Sequence, residues 1–172
     1  NGIKSYLTTQ PTPTPAIAYM ISGVGAAGGV IVTASHNPPS DNGIKVRTGT
    51  GAAVAPENLA KIEAAVPSQS EFIKTMPYDA ALEQGLIEAL DARSPYLQGV
   101  RTNLDLGRVA ASDIRLVVDS MFGAGAGYMD DLLAGGDIDL LTIRQEHNPA
   151  FPGIARPEPI PPYTDELGEA VR

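Results

Sequence analysis

The chain has 172 residues, 12 Lys and Arg against 20 Asp and Glu, and a net charge of −8. It contains no Cys, which excludes disulfides, thiolate zinc sites, iron–sulfur clusters and a thiol nucleophile. The acidic balance argues against general nucleic-acid binding, which takes a basic surface, and no apolar run reaches the roughly 18 residues that cross a bilayer.

A hydrophobic fraction of 43% fits a globular protein rather than a disordered acidic tail. The length suits one domain or two small ones. With 18 Gly and 15 Pro, many turns are expected. The opening Asn1-Gly2-Ile3-Lys4 is too polar to read as a signal peptide. A reducing compartment is compatible with the absence of Cys, and the expected location is cytoplasmic.

In chain order, Pro11, Pro13 and Pro15 force an extended segment. A helix is then expected, with Thr14 as N-cap and Pro15 as first helical residue. Its buried face is Ile17, Met20, Ile21 and Val24. Residues 29–33 are apolar and β-branched and predict a buried strand. A polar loop over 34–43 leads to a second strand at 44–47. Pro56 opens a helix with Leu59, Ile62 and Val66 on one face, ended by Pro67. A polar connector is expected over 67–78. The spacing of Leu82, Leu86, Ile87 and Leu90 predicts an amphipathic helix. Ser94-Pro95 begins another, carrying Tyr96, Leu97 and Val100.

Residues 114–118 and 138–143 read as strands, joined by a Gly-rich turn and a helix with Tyr128, Met129, Leu132 and Leu133. A last helix runs from Thr164 to Arg172, with Asp165 and Glu166 complementing its N-terminus. The recurrence of strand, helix and strand predicts an α/β fold: layered α/β/α units with mixed, largely parallel sheets.

The chemistry-bearing stretch is Thr33-Ala34-Ser35-His36-Asn37-Pro38, followed by Asn42-Gly43-Ile44-Lys45. Ser35 comes straight after a predicted strand, at the rim where α/β proteins place ligands. His36, Asn37 and Lys45 could donate hydrogen bonds to an anion near it, and Pro38-Pro39 would hold the loop still. A phosphoserine adds about −1.5 to −2 charge and three acceptor oxygens, and needs such donors. The residues alone leave two readings open. One is a phosphoryl site, and the other is a polar turn with an ordinary serine and a solvated lysine.

That stretch resembles the active-site loop of the α-D-phosphohexomutases, the phosphoglucomutase/phosphomannomutase superfamily. Pro13-Thr14-Pro15-Ala16 is similar to the family's helix start. The run Val118-Asp119-Ser120-Met121-Phe122-Gly123-Ala124-Gly125 is similar to the opening of its second domain, and Phe151-Pro152-Gly153 with Pro157-Glu158-Pro159-Ile160 to a later segment of that domain. The resemblance implies that residues 1–92 are the later part of domain I plus a connector, and 93–172 the early part of domain II.

The resemblance further implies a phosphotransferase of the isomerase class. It would interconvert hexose 1-phosphate and hexose 6-phosphate, of glucose or mannose, through a hexose 1,6-bisphosphate. Glucosamine or a pentose is the alternative sugar. Ser35 would be the phosphoserine, with one of its phosphate oxygens ligating Mg²⁺. Lys45 would serve as acid–base group, as a lysine in a partly desolvated site can. His36 and Asn37 would shape the phosphoserine loop, so Ser35, His36 and Lys45 are the candidate catalytic residues, with Asn37 and Asn42 shaping the loop around the phosphate. Phosphoryl transfer of this kind rests on positioning and charge neutralisation. The implied partners are sugar phosphates, with neither nucleic acid nor membrane.

The family's Asp-Gly-Asp-x-Asp cluster, its Gly-Glu-x-Ser-Gly loop and its late phosphate-binding loop are not in these 172 residues. The remaining Mg²⁺ ligands are therefore expected beyond Arg172, and the chain is expected to be an internal piece with no mutase activity of its own. A non-catalytic phosphosugar-binding or regulatory relative that kept the serine loop is the alternative. Asp137-Ile138-Asp139 reads as structural. The glycines of 123–127 fail a dinucleotide fingerprint, because Tyr128 stands where the third Gly belongs. They read as close strand-to-helix packing, and Asp119 as a turn-capping residue. His147 lacks partners at ligand spacing and reads as loop polarity.

Overall fold

A computed structural model describes residues 2–67 and 73–172. Among the described residues, three two-stranded sheets carry the architecture. β1 (Ser5–Thr8) runs parallel to β4 (Ile87–Leu90), with Ser5 opposite Ile87. β2 (Gly28–Val32) runs antiparallel to β3 (Ile44–Thr48), with Ile31 opposite Lys45. β5 (Arg115–Asp119) runs parallel to β6 (Asp139–Ile143). The mixed, largely parallel α/β character expected from the sequence is present, with the β2–β3 pair as its antiparallel member.

The helices are α1 (Thr14–Gly23), α2 (Pro56–Ala65), α3 (Tyr78–Glu83), α4 (Arg93–Asn103), α5 (Leu106–Ala110), α6 (Tyr128–Leu133) and α7 (Asp165–Val171). In α1 the N-cap is Pro13 rather than Thr14, and no side chain caps the helix. The Pro13 carbonyl instead accepts from the N–H groups of Ala16 and Ile17 at 3.0 and 3.2 Å. α4 does have a side-chain acceptor at its start. Asp91 Oδ1 accepts from the N–H groups of Arg93 and Ser94 at 2.9 and 3.2 Å. Hydrogen bonds from Ser94, first its hydroxyl and then its N–H, hold the Asp91 carboxyl below the usual carboxylate range.

One expected helix is not there. The segment with Leu82, Leu86, Ile87 and Leu90 divides into the short α3 and strand β4. Gly85 takes a left-handed φ of 66°, and the Leu86 N–H closes back on the Ala81 carbonyl at 2.9 Å, which ends the helix. Residues 87–90 then satisfy their backbone groups against β1. Of the connector expected over 67–78, residues 68–72 lie outside the described residues.

The core is small and sits at the seam between the two halves. Ala16 of α1 packs with Leu97 of α4 and Tyr128 of α6, flanked by Tyr96 and Leu132. Tyr19 meets Tyr96 edge-on with ring centroids 5.9 Å apart, and Tyr96 meets Tyr128 at 6.2 Å. The Arg93 guanidinium lies 4.5 Å above the Tyr128 ring. Burial pushes the Tyr128 phenol above its ordinary value.

The strand over 29–33 was expected to be buried, but in β2 only the face toward α1 is covered. Ile31 is 5% exposed, whereas Val30, Val32 and Ile44 are 65%, 68% and 69% exposed. Likewise, the expected apolar face of α2 is not enclosed: Ile62 and Val66 are exposed and Leu59 half-buried. Among the described residues no element lies over these faces to complete a second layer. None of the helices in the described residues is long and apolar enough to cross a membrane.

Candidate active site

The loop over residues 33–43 joins β2 to β3, so its two ends are held side by side by the strand pair. The Thr33 N–H donates to the Gly43 carbonyl at 2.9 Å, one step beyond the ladder, and pinches the loop shut. Inside it the Asn37 N–H donates to the Ala34 carbonyl at 3.1 Å, and the Asp41 N–H to the Pro38 carbonyl at 3.0 Å. Asn42 Oδ1 accepts from the Gly43 N–H at 2.9 Å. Asn37 and Asn42 thus both lie in the closed loop, one through its backbone and the other through its side chain.

Ser35 stands at the tip of the first turn with a left-handed φ of 60°. Such a conformation costs a non-glycine residue about 1–3 kcal/mol and is found disproportionately at functional sites. Its N–H donates to Thr33 Oγ1 at 3.0 Å, which holds the backbone in this shape. The side chain is thrown outward, exposed, with Oγ 3.5 Å from His36 Nδ1. A hydroxyl presented in this way is accessible to a phosphoryl donor from solvent.

His36 carries the loop's link to the second half of the chain. Its Nε2 lies 4.0 Å from Glu158 Oε1. Glu158 Oε2 in turn lies 2.6 Å from Arg156 Nη2. Glu158 is only 23% exposed, and its Oε2 is an enclosed atom without an aligned hydrogen bond among the described residues. Sequence reasoning assigned no role to Glu158 or Arg156. The only signal available was the Pro157-Glu158-Pro159 run, which promises a carboxylate on a stiff backbone.

Lys45 is the second residue of β3. It sits opposite Ile31 in the register, and opposed residues share a face, so it rises on the side of the ribbon that carries α1. It is exposed, and makes no ion pair or side-chain hydrogen bond among the described residues. Ser35, His36, Asn37, Asn42 and Lys45 are therefore all on the loop or its exit strand, and each is accessible.

The other acidic candidates have structural partners. Asp139 pairs with Arg115 across the strand ends at 3.3 Å. Asp119 caps the turn after β5, accepting from the Met121 N–H at 3.0 Å, and its carboxylate is gripped by Arg144. That bond raises the Arg144 guanidinium above its already high ordinary value. In the Gly-rich turn, Gly127 caps α6 against the Arg93 side chain, in keeping with close packing. Asp165 and Glu166 occupy the first turn of α7, and His147 is exposed in the loop after β6. An open cleft of about 630 Å³ lies beside Arg144 and Arg93, but none of the Ser35-loop residues lines it.

A magnesium ion needs several oxygen ligands. Among the described residues no group of three or more His, Asp or Glu side chains converges to hold one. These residues do not by themselves fit a magnesium site.

Two family models match the chain. Phosphoglucomutase/phosphomannomutase, alpha/beta/alpha domain I, covers residues 1–72, and alpha/beta/alpha domain II covers residues 94–172. The chain is 33% identical over 160 residues to a probable phosphoglucosamine mutase of Methanothermobacter thermautotrophicus, covering 93% of this chain and 33% of that protein. It is 35% identical over 134 residues to the phosphoglucosamine mutase of a Synechococcus species, covering 78% of this chain and 28% of that protein. Among solved structures, a putative phosphomannomutase from Thermus thermophilus superposes with a TM-score of 0.82 at 36% identity, over 99% of this chain and 37% of that one. The chain thus spans about a third of the length of the curated relatives it matches.

Proposed function

Because the chain belongs to the phosphoglucomutase/phosphomannomutase family, we propose that the protein carrying it is a sugar-phosphate mutase in which Ser35 is the phosphoryl carrier. The observation that carries this reading is the display of Ser35. It is a hydroxyl held outward on a closed, proline-stiffened loop at the end of β2, in a left-handed backbone conformation of the kind concentrated at functional sites.

Phosphorylated Ser35 gives its phosphoryl group to a hydroxyl of a sugar monophosphate. The Oγ–P bond breaks and a P–O bond to the sugar forms, while the proton of that hydroxyl passes through the amine of Lys45 to the departing Oγ, which leaves as the serine hydroxyl. The bisphosphate then returns its other phosphoryl group to Ser35 Oγ, the hydroxyl proton passing to the departing sugar oxygen, and the isomeric monophosphate is left. Asn37 and Asn42 keep the loop in shape while Ser35 changes charge. Charge-neutralising donors on the equatorial oxygens carry most of the catalytic burden in such transfers. The family's Mg²⁺ would be one such group, with a phosphate oxygen on Ser35 as its contact to this chain.

The substrate class is a hexose 1-phosphate or 6-phosphate. Glucosamine is supported by the named activity of the two curated relatives above, and mannose by that of the solved structure. The test is made in the complete protein, with glucose, mannose and glucosamine 1-phosphates as substrates. Ser35→Ala is expected to abolish turnover and the phosphate-sized mass increase on incubation with the matching 1,6-bisphosphate. Undiminished mutase activity in Ser35→Ala refutes the assignment.

A further inference from the structure

We infer that Glu158 is a positioning residue for Ser35, acting through His36. The inference rests on the mutase reading above and names a residue of the second family domain that completes the serine loop of the first. It starts from three contacts in series. Ser35 Oγ is 3.5 Å from His36 Nδ1, His36 Nε2 is 4.0 Å from Glu158 Oε1, and Glu158 Oε2 is 2.6 Å from Arg156 Nη2. The two ring nitrogens of His36 therefore face different partners, a hydroxyl on one side and a carboxylate on the other.

A carboxylate only accepts hydrogen bonds. Facing Nε2, it favours the tautomer that carries the proton on Nε2, and this leaves Nδ1 as an acceptor for the Ser35 hydroxyl. The same carboxylate would fix the ring plane, as partners on the far nitrogen do for metal-ligating histidines. With the ring fixed, the hydroxyl proton is drawn toward Nδ1, and an Oγ lone pair is left pointing outward to an incoming phosphorus. Separations of 3.5 and 4.0 Å are those of a site without substrate, where functional hydrogen bonds are commonly long and shorten on binding.

Glu158 is built to serve as a fixed point. Pro157 precedes it, and Pro159 restricts its own backbone to the extended region. The Ile160 N–H closes onto the Glu158 carbonyl at 2.8 Å. Its carboxylate is largely enclosed, and Oε2, which lies 2.6 Å from Arg156 Nη2, is an enclosed atom in ion-pair contact without an aligned hydrogen bond. An exposed surface acid would need none of this. His36, in contrast, is 54% exposed, and Glu158 is the charged group that faces its Nε2.

The test uses the complete protein, freed of phosphate and mixed in a rapid-quench experiment with ³²P-labelled glucose, mannose or glucosamine 1,6-bisphosphate. The rate of label transfer to the protein is followed in wild type, Glu158→Met, Glu158→Gln, His36→Ala and the double variant His36→Ala/Glu158→Met. Methionine keeps the volume without the acceptor, whereas glutamine keeps an acceptor oxygen.

Glu158→Met is expected to slow transfer about 10- to 100-fold, by analogy with losing the outer partner of a metal-ligating histidine. The bisphosphate concentration at half-saturation should be unchanged. Glu158→Gln should recover to within a few-fold of wild type, and Glu158→Met should add no further slowing in the His36→Ala background. A wild-type rate in Glu158→Met, or the same slowing with and without His36, overturns the inference. Ser35→Ala separates this from the parent reading. If label still enters Ser35→Ala, the mutase assignment has failed, and if label enters wild type at Ser35 alone, the assignment stands whatever Glu158 does.

Discussion

Replacing Asp119 with alanine removes the carboxylate that holds Arg144 where both side chains are nearly sealed from solvent, 3% and 5% exposed. Asp119 Oδ1 accepts from Arg144 Nε at 2.9 Å and from the Met121 N–H at 3.0 Å, while Oδ2 pairs with Arg144 Nη2. Without it, the guanidinium keeps the Tyr163 carbonyl at 2.9 Å and the carboxylate of Glu166, which is 3.7 Å from Nε and 60% exposed. The Tyr163 carbonyl carries no charge, and the exposed Glu166 carboxylate offsets the guanidinium only in part. Breaking an enclosed ion pair from one side costs about 3–5 kcal/mol. The stranded Met121 N–H adds about 1 kcal/mol. Against a typical domain stability of about 5–15 kcal/mol, that is a large loss.

The assay is guanidinium chloride unfolding of wild type, Asp119→Ala, Arg144→Met and the double variant. Each single change should cost about 3–5 kcal/mol, because each leaves the opposite charge buried. The double change should cost less than the sum by about 2 kcal/mol or more, the signature of a shared interaction. If Asp119→Ala unfolds within about 0.5 kcal/mol of wild type, as a surface substitution would, the pair is not sealed as described and the reasoning fails.

Asp91→Ala should cost about 1 kcal/mol, the usual worth of a helix-start acceptor, read from the denaturation midpoint. Because the folded-state pKa of Asp91 is depressed, its contribution is present above the ordinary carboxylate value near 3.9 and is lost as pH falls through the lower folded value. The gap between wild type and Asp91→Ala should therefore close at acid pH, and a gap that widens there would contradict the assignment. Gly51→Ala should lower the thermal midpoint. Gly51 has a φ of 79°, and an added Cβ would run into the Ala18 carbonyl of α1. The conformation alone costs about 1–2 kcal/mol, and an unchanged midpoint would mean that the turn after β3 is not held against α1.

Much of the fold was readable because it is built from local signals. The β-branched runs of β2, β5 and β6, and the prolines that open α1 and α2, act within a few residues of where they stand. β1 and β4 were not readable for the opposite reason. Each is a four-residue strand that exists through its partner some eighty residues away, and Leu82, Leu86 and Leu90 mimic a helical face that Gly85 interrupts. Burial was misjudged for a related reason. An apolar run announces that its side chains prefer cover, but whether Val30 or Val32 has cover depends on what lies opposite, and among the described residues nothing does.

The same distinction divides the candidate site. Ser35, His36, Asn37, Asn42 and Lys45 lie within eleven residues of one another, so a single hairpin brings them together and a single motif reveals them. Glu158 reaches His36 only by tertiary assembly. The serine loop is tied to β2, which packs on α1. Residues 151–160 are tied to the second half through the Asn148 N–H bond to the Phe122 carbonyl and the Arg144 bond to the Tyr163 carbonyl. α1 in turn packs against α4, where Gly99 is so close to Tyr19 that an added Cβ would lie 2.6 Å from its hydroxyl. The tyrosine-lined helix seam is thus one of the contacts that hold the elements carrying His36 and Glu158 together. Changes at that seam should reach Ser35 through the orientation of His36, with no contact to the loop itself.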